Sequence, residues 1–236
     1  MSWLRGHWQL VALSALVAAL WQTPVVLPLK LLVVFFHEAS HALAALLTGG
    51  SVEAISINAR QGGVTLTRGG NLFALLSAGY LGSLAIGVAI LLVALRTDLD
   101  RVLMGLLGFL ALAIAAFYLR DGFALAFGIG TGLVLLGMAW ALPHDAVDLV
   151  LRLIGLASMI YVPRDIFDDT IARAGGASAR AGGASDAAAL ARAFGGTAML
   201  WGGLWLVLSL AVIAACLRWG LGARSNIGRG QVRSAR

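Results

Sequence analysis

Roughly seven apolar runs, each near the length that crosses a bilayer, limit what this chain can fold into. A transmembrane helix needs about 20 predominantly apolar residues. Runs of that order lie near 8–26, 27–47, 72–95, 102–118, 121–142, 146–163 and 197–218. Only 12% of the 236 residues are charged and 60% are hydrophobic, too apolar for a soluble domain of this length to bury. The sequence therefore predicts an all-α polytopic membrane protein, a bundle of about six to seven transmembrane helices.

The first run lies close to the N-terminus and has to be distinguished from a cleavable signal peptide. Arg5 followed by an apolar run is typical of signal peptides. No small-residue cleavage site follows, because the next residues are Trp21, Gln22 and Pro24. We therefore expect a retained first span.

The charge of the chain favours a lipid environment and argues against nucleic acid as a partner. The formal net charge is +6, and basic ends beside anionic lipid account for it, whereas no basic patch is interleaved with aromatic residues. The prevalence of Arg, Ala and Gly is typical of a GC-rich bacterial genome, so we expect an integral protein of the bacterial cytoplasmic membrane. The one cysteine, Cys216, excludes an internal disulfide and a multi-cysteine zinc site. We interpret His7 and His144 as solvated residues rather than metal ligands.

Two polar segments interrupt the apolar runs. Residues 49–70 alternate apolar and polar side chains around a Gly-Gly pair, which predicts a short β-hairpin directly after the second run. Residues 164–195 form a polar loop in which Ser185 or Asp186 caps a short helix. We expect one integral membrane domain over residues 1–218 and a basic, disordered tail over residues 219–236.

The second run, LLVVFFHEASHALAALLTGG, sets His37, Glu38 and His41 into an apolar helix. Ionisable groups at membrane depth cost free energy and by default mark a functional site. Residues four apart share one helix face, so both imidazoles can reach one zinc ion. Glu38 can then take a proton from a water whose pKa the metal lowers. This is the H-E-x-x-H arrangement of zinc proteases.

A zinc site of this kind needs a third protein ligand, and the sequence offers several aspartates. IYVPRDIFDDTIARA places Asp165, Asp168 and Asp169 on one face if that segment is helical. An acidic cluster at a membrane border is equally well explained as a solvated helix terminus. Asp121, in FYLRDGF, is better explained as part of a polar turn between two spans.

Several pieces, in order, resemble one family. They are HEASHALAALLTGG, GGVTLTRGG, LSAGYLGSLAIG, IYVPRDIFDDTI, ASDAAALARAFG and WGGLWLVLSL. Together they resemble the M50 group of membrane-embedded zinc metallopeptidases, the site-2 protease class, and most closely its M50B-like branch. The resemblance runs from Leu31 to about Ala215. The better-known site-2 proteases take the third ligand from an Asp-Gly motif after an Asn- and Pro-rich segment, and no Asn-x-x-Pro segment precedes an aspartate here.

The resemblance implies an intramembrane endopeptidase that hydrolyses peptide bonds of a membrane-protein or peptide substrate. His37 and His41 would bind zinc, Glu38 would activate water, and Asp165, in the DIFDD piece, would be the third ligand. A non-catalytic membrane adaptor that retains the metallopeptidase fold is the main alternative. A transporter is disfavoured because no internal repeat is detectable.

Overall fold

The computed structural model describes residues 2–172, 185–222 and 224–227, and helices dominate them. The eight α-helices of these residues are α1 (Ser2–Ala19), α2 (Leu27–Leu47), α3 (Leu72–Arg96), α4 (Asp100–Tyr118), α5 (Gly122–Ala141), α6 (His144–Ile166), α7 (Asp186–Phe194) and α8 (Ala198–Ala215). The strands are β1 (Ser51–Ile57) and β2 (Gly63–Arg68). A 3-10 turn at Pro24–Val26 leads into α2, and π-helical turns extend α6 over Phe167–Ala172 and α8 over Cys216–Gly220.

Six helical segments within the described residues are long and apolar enough to cross a membrane. They are Pro24–Leu47, Leu72–Arg96, Asp100–Tyr118, Gly122–Ala141, His144–Thr170 and Ala198–Gly220. The helix in the first apolar run, α1, is not among the six, because Arg5, His7 and Gln9 make its first half polar. The predicted bundle of six to seven transmembrane helices is confirmed. The length and apolar composition of these helices are those of an integral membrane protein.

The predicted hairpin follows α2 and lies against it. β1 and β2 pair antiparallel, with Ile55 opposite Thr65, and Ile55 also bridges to Leu119 between α4 and α5. The Asn58 side chain closes the turn by accepting hydrogen bonds from the backbone of the turn residues. Gln61 at the turn lines a small polar cavity together with Lys30, which lies in the first turn of α2. The hairpin therefore runs back along α2 toward the start of that helix.

Close backbone contacts hold α3 to its neighbours. A Cβ atom on Gly87 would lie 2.2 Å from the Cβ of Ser158 in α6, and one on Gly155 would lie 2.8 Å from the carbonyl oxygen of Gly87. On the other side, a Cβ atom on Gly82 would lie 2.6 Å from Ser40 in α2. Small residues at such crossings let helices pack tightly where lipid gives no hydrophobic driving force. α3 is thereby fixed between α2 and α6.

Part of the predicted disordered tail is packed instead. Residues 224–227, termed here the C-terminal segment, contact α1. The Ser225 amide donates to the Gly6 carbonyl at 2.9 Å, and Ser225 Oγ lies 2.7 Å from His7 Nδ1 in a hydrogen bond. His7 is only 1% exposed, so its interpretation as a solvated residue is wrong, because Ser225 satisfies the buried ring. Residues 223 and 228–236 of the predicted tail lie outside the described residues.

A buried ion pair joins the C-terminal segment to α6. Arg152, 2% exposed, donates to both carboxylate oxygens of Asp148 at 2.6 and 2.7 Å and also to the Ser225 carbonyl. Removing one partner of a buried pair costs about 3–5 kcal/mol, so we expect Arg152→Met to lower the free energy of unfolding by about that amount. Arg224→Met, at an exposed position of the same segment, is the control. Denaturant unfolding in detergent measures both, and equal effects would contradict a role for the buried pair.

Candidate metal centre

α2 presents the two histidines of the sequence motif on one face. The helix is unbroken from Leu27 to Leu47, and Pro28 falls in its first turn, where a missing N–H costs nothing. His37 and His41 are one turn apart, and their Nε2 atoms lie 3.0 Å from each other. Both face α3 at the level of Gly79. The spacing in the sequence thus brings two imidazole nitrogens to one point.

The carboxylate that meets these two nitrogens belongs to Asp186, in the first turn of α7. Asp186 Oδ2 lies 3.1 Å from His37 Nε2 and 3.2 Å from His41 Nε2. This oxygen is buried, and it faces the same small space as the two imidazole nitrogens. Ligand atoms of the three residues lie within 4.8 Å of one another. Two imidazoles and a carboxylate are a ligand set that zinc accepts, with a fourth position left for water or substrate.

The two imidazoles favour the ionised form of the Asp186 carboxyl group. Burial alone raises the pKa of this carboxyl group, but the contacts with His37 and His41 outweigh burial and hold the pKa below its usual range. The carboxylate is therefore ionised at neutral pH, and metal ligands have to be deprotonated.

A second layer of contacts orients the imidazoles. His41 Nδ1 donates to the Leu75 carbonyl at 2.7 Å, which fixes the tautomer whose Nε2 lone pair faces the site. The His37 ring packs edge-on against Tyr80, with ring centroids 4.8 Å apart. The Tyr80 hydroxyl in turn donates to Asp169 at 2.8 Å. Both histidine rings are thus held by α3.

Gly79 leaves the room in which the ligand atoms converge. A Cβ atom at this position would lie 2.5 Å from His37 Nε2 and 2.6 Å from His41 Nε2. No side chain larger than hydrogen fits there without moving an imidazole. The glycine therefore opens the space between α2 and α3 that an ion would occupy.

Glu38 lies beside the ligands and contacts the hairpin. Its residue is 4% exposed, and its Oε2 accepts a hydrogen bond of 2.6 Å from the Thr65 hydroxyl of β2. A carboxylate next to a potential metal site, in a bundle that excludes most solvent, is suited to move a proton. Glu38, the predicted general base, is thus buried on α2 with its carboxylate against β2.

The structure does not bring Asp165, the predicted third ligand, into this group of ligand atoms. α6 continues as a helix through Pro163 to Ile166, and on that helix Asp165 lines the polar cavity with Lys30 and Arg164. Asp168 lines the same cavity. The positions of these two residues on the helix, and not the number of acidic residues in the segment, set the direction of their carboxylates.

The remaining candidates have other contacts. Asp169 accepts the Tyr80 hydroxyl, and Asp121 caps α5 by accepting from the Ala124 amide at 2.7 Å. Sequence reasoning interpreted Asp186 only as a helix-capping residue, whereas Ser185 is the N-cap and accepts from the Ala188 amide. The signal that could have identified Asp186 is the piece ASDAAALARAFG, which follows the polar loop and opens a helix.

Comparison with known proteins identifies the family. The family model described as Peptidase M50B-like matches residues 10–216, a range that contains His37, Glu38, His41 and Asp186. No curated protein matches the chain. No solved structure matches it either.

Proposed function

The chain belongs to the Peptidase M50B-like family, and we propose that it is an intramembrane zinc metalloendopeptidase. In this proposal His37, His41 and Asp186 hold the zinc ion, and Glu38 is the general base. The observation that carries it is the convergence of three potential ligand atoms within 4.8 Å beside a buried glutamate, with both histidines and the glutamate on a helix long enough to span a membrane. Asp186 replaces Asp165 as the proposed third ligand.

The chemistry follows from the placement of these groups. Zinc, when bound, supplies a Lewis acid that lowers the pKa of water and polarises the substrate carbonyl. Glu38 takes the proton of the attacking water as the oxygen–carbon bond forms, and later gives that proton to the leaving amine as the carbon–nitrogen bond breaks. His41, tied to the Leu75 carbonyl, and His37, packed on Tyr80, keep their ring nitrogens directed into the site. The burial of Glu38 keeps bulk water from competing for its carboxylate.

The hairpin has a strand edge to which an extended substrate could add. β1 and β2 form a two-stranded sheet, and β1 is flanked by Leu119, so among the described residues the outer edge of β2 is the unpaired one. Val64 and Leu66 on β2 are 55% and 53% exposed. A peptide can add to such an edge as a further strand, and an extended segment exposes its carbonyls where a helix does not. We propose that the substrate pairs with β2 beside Glu38.

Zinc bound per chain tests the assignment of ligands. We expect about one zinc per purified, metal-replete chain, since two histidines and one carboxylate form one site. His37→Ala and Asp186→Ala should lose most of it, while Asp165→Ala, the matched control, should retain it. Loss with Asp165→Ala but not with Asp186→Ala would return the third ligand to the DIFDD segment.

Cleavage of a membrane-spanning peptide in the same preparations tests the activity. The zinc-loaded parent should cleave, and the His37→Ala and Asp186→Ala variants should not. A folded parent that binds no zinc under metal-replete conditions would contradict the proposal and would favour the membrane adaptor that retains only the fold.

A further inference from the structure

We infer that β2 is the positioning element for the general base, with Thr65 and Gly63 holding the carboxylate of Glu38 in its working orientation. The inference rests on the proposed function, because it assigns two positioning residues to the same site. Neither residue ligates metal. Both act through Glu38, which is the group that meets the attacking water.

The Thr65 hydroxyl has two acceptors on one residue. Its Oγ1 lies 2.6 Å from Glu38 Oε2 and 3.0 Å from the Glu38 carbonyl oxygen. A hydroxyl has one proton, and bonds from O–H to an ionised carboxylate are about 2.5–2.7 Å long. The shorter contact is therefore the hydrogen bond of Thr65 with the carboxylate. It selects one of the several rotamers open to a glutamate, which would otherwise remain mobile.

Gly63 confines the other side of the same carboxylate. A Cβ atom on Gly63 would lie 2.3 Å from Glu38 Oε1 and 2.7 Å from Cδ and from Cγ. The strand backbone thus passes against the carboxyl group at a distance that only glycine allows. The missing side chain of Gly63 leaves room for Oε1, while the Thr65 hydroxyl holds Oε2.

The two contacts come from one face of one strand. Residues two apart in a strand point to the same side, so Gly63 and Thr65 face α2 together, while Val64 between them is exposed. The turn after β1 and the bridge from Ile55 to Leu119 hold the hairpin in place. Any shift of β2 by one residue would exchange these faces and release Glu38.

The hydroxyl can be removed with little change of shape. Thr65→Val keeps the branched side chain and the preference for a strand but cannot donate, whereas Thr65→Ser keeps the donor. Since a hydrogen bond to a charged group is worth a factor of about ten to a hundred, we expect Thr65→Val to lower kcat by about ten- to a hundredfold with little change in KM. Thr65→Ser should restore most of kcat. Zinc content should be unchanged in both.

Thr131→Val is the matched control, because Thr131 lies in α5, where it lines an apolar cavity, and not on the strand proposed to contact Glu38 and the substrate. Its kcat should equal that of the parent. A Thr65→Val enzyme with the parental kcat, or one that loses zinc, would overturn the inference. A merely structural role of Thr65 would lower kcat equally in the Val and Ser variants, which also overturns it.

A double-mutant cycle on unfolding separates failure of this inference from failure of the proposed function. Thr65→Val, Glu38→Ala and the double variant are unfolded thermally without substrate. Non-additive shifts of the midpoint support the contact, since residues that share a hydrogen bond couple. Additive shifts overturn the inference. If the parent does not cleave, the proposed function fails, and the cycle alone decides whether β2 holds Glu38.

Discussion

Glu38→Gln should abolish peptide cleavage and leave zinc binding intact. Glutamine has the size of glutamate and still offers an oxygen to the Thr65 hydroxyl, which lies 2.6 Å from Oε2, but it cannot take a proton from water. Positioned general acid–base groups contribute about 10²–10⁴ in rate, so the cleavage rate should fall by at least about a hundredfold. The rate is measured on a membrane-spanning peptide, beside the zinc content of each preparation.

Glu53→Gln is the control for this prediction. Glu53 lies on β1, is about half exposed and pairs with Arg68 on the surface, so its replacement tests for general effects of removing a carboxylate from this region. We expect the parental rate. If Glu38→Gln cleaves as fast as the parent while zinc is bound, Glu38 is not the general base, and the mechanism proposed above is wrong.

Gly79→Ala removes the space in which the ligand atoms converge. The added methyl group would lie 2.5 Å from His37 Nε2 and 2.6 Å from His41 Nε2, so one imidazole has to leave its position. Overpacking of a rigid site costs about 1–3 kcal/mol, and we therefore expect zinc affinity to fall by about ten- to a hundredfold. Competition with a chelator of known affinity measures the change.

Gly130→Ala is the matched control, a glycine to alanine change inside a spanning helix. A Cβ atom at Gly130 in α5 meets nothing within 4 Å, and alanine favours helix over glycine. Zinc affinity and folding should be unchanged in this variant. Undiminished zinc affinity in Gly79→Ala would show that the metal does not bind between α2 and α3.

Two of the three proposed ligands could be predicted from the sequence because their positions are set by one helix. His37 and His41 share a face whatever α2 packs against, so spacing alone brings them together. The position of Asp186 depends instead on how α7 docks. Ala187 and Leu190 are buried, and Phe194 packs edge-on against Phe73 of α3 with centroids 5.6 Å apart.

The acidic segment at the end of α6 carried a stronger local signal than Asp186 did. Three aspartates in five residues, Asp165 to Asp169, outweigh one aspartate beside a capping serine when only spacing is considered. The tertiary structure reverses that order, because α6 turns Asp165 to the polar cavity while α7 brings Asp186 to the imidazoles. The piece ASDAAALARAFG marks Asp186 at the start of a helix, but spacing within one segment does not show how that helix docks.

The two ends of the described chain also show that sequence patterns do not predict contacts between distant segments. Composition predicted a span in the first apolar run and disorder in the basic tail. His7 and Ser225 are each unremarkable in the sequence, and only their contact explains why both are buried. Polar residues at membrane ends become ordered when a partner from a distant segment satisfies their hydrogen bonds.

The contact between His7 and Ser225 has a consequence for biosynthesis. The two residues are 218 positions apart, so a nascent chain has produced all six candidate spans before this contact can form. Until then, His7 in α1 and Arg152 in α6 lack their contacts with Ser225. Chains interrupted before Ser225 lose the hydrogen bonds that join the C-terminal segment to these two helices and should be shorter-lived. Their half-lives in a pulse–chase experiment, compared with those of chains that include residues 224–227, measure the effect.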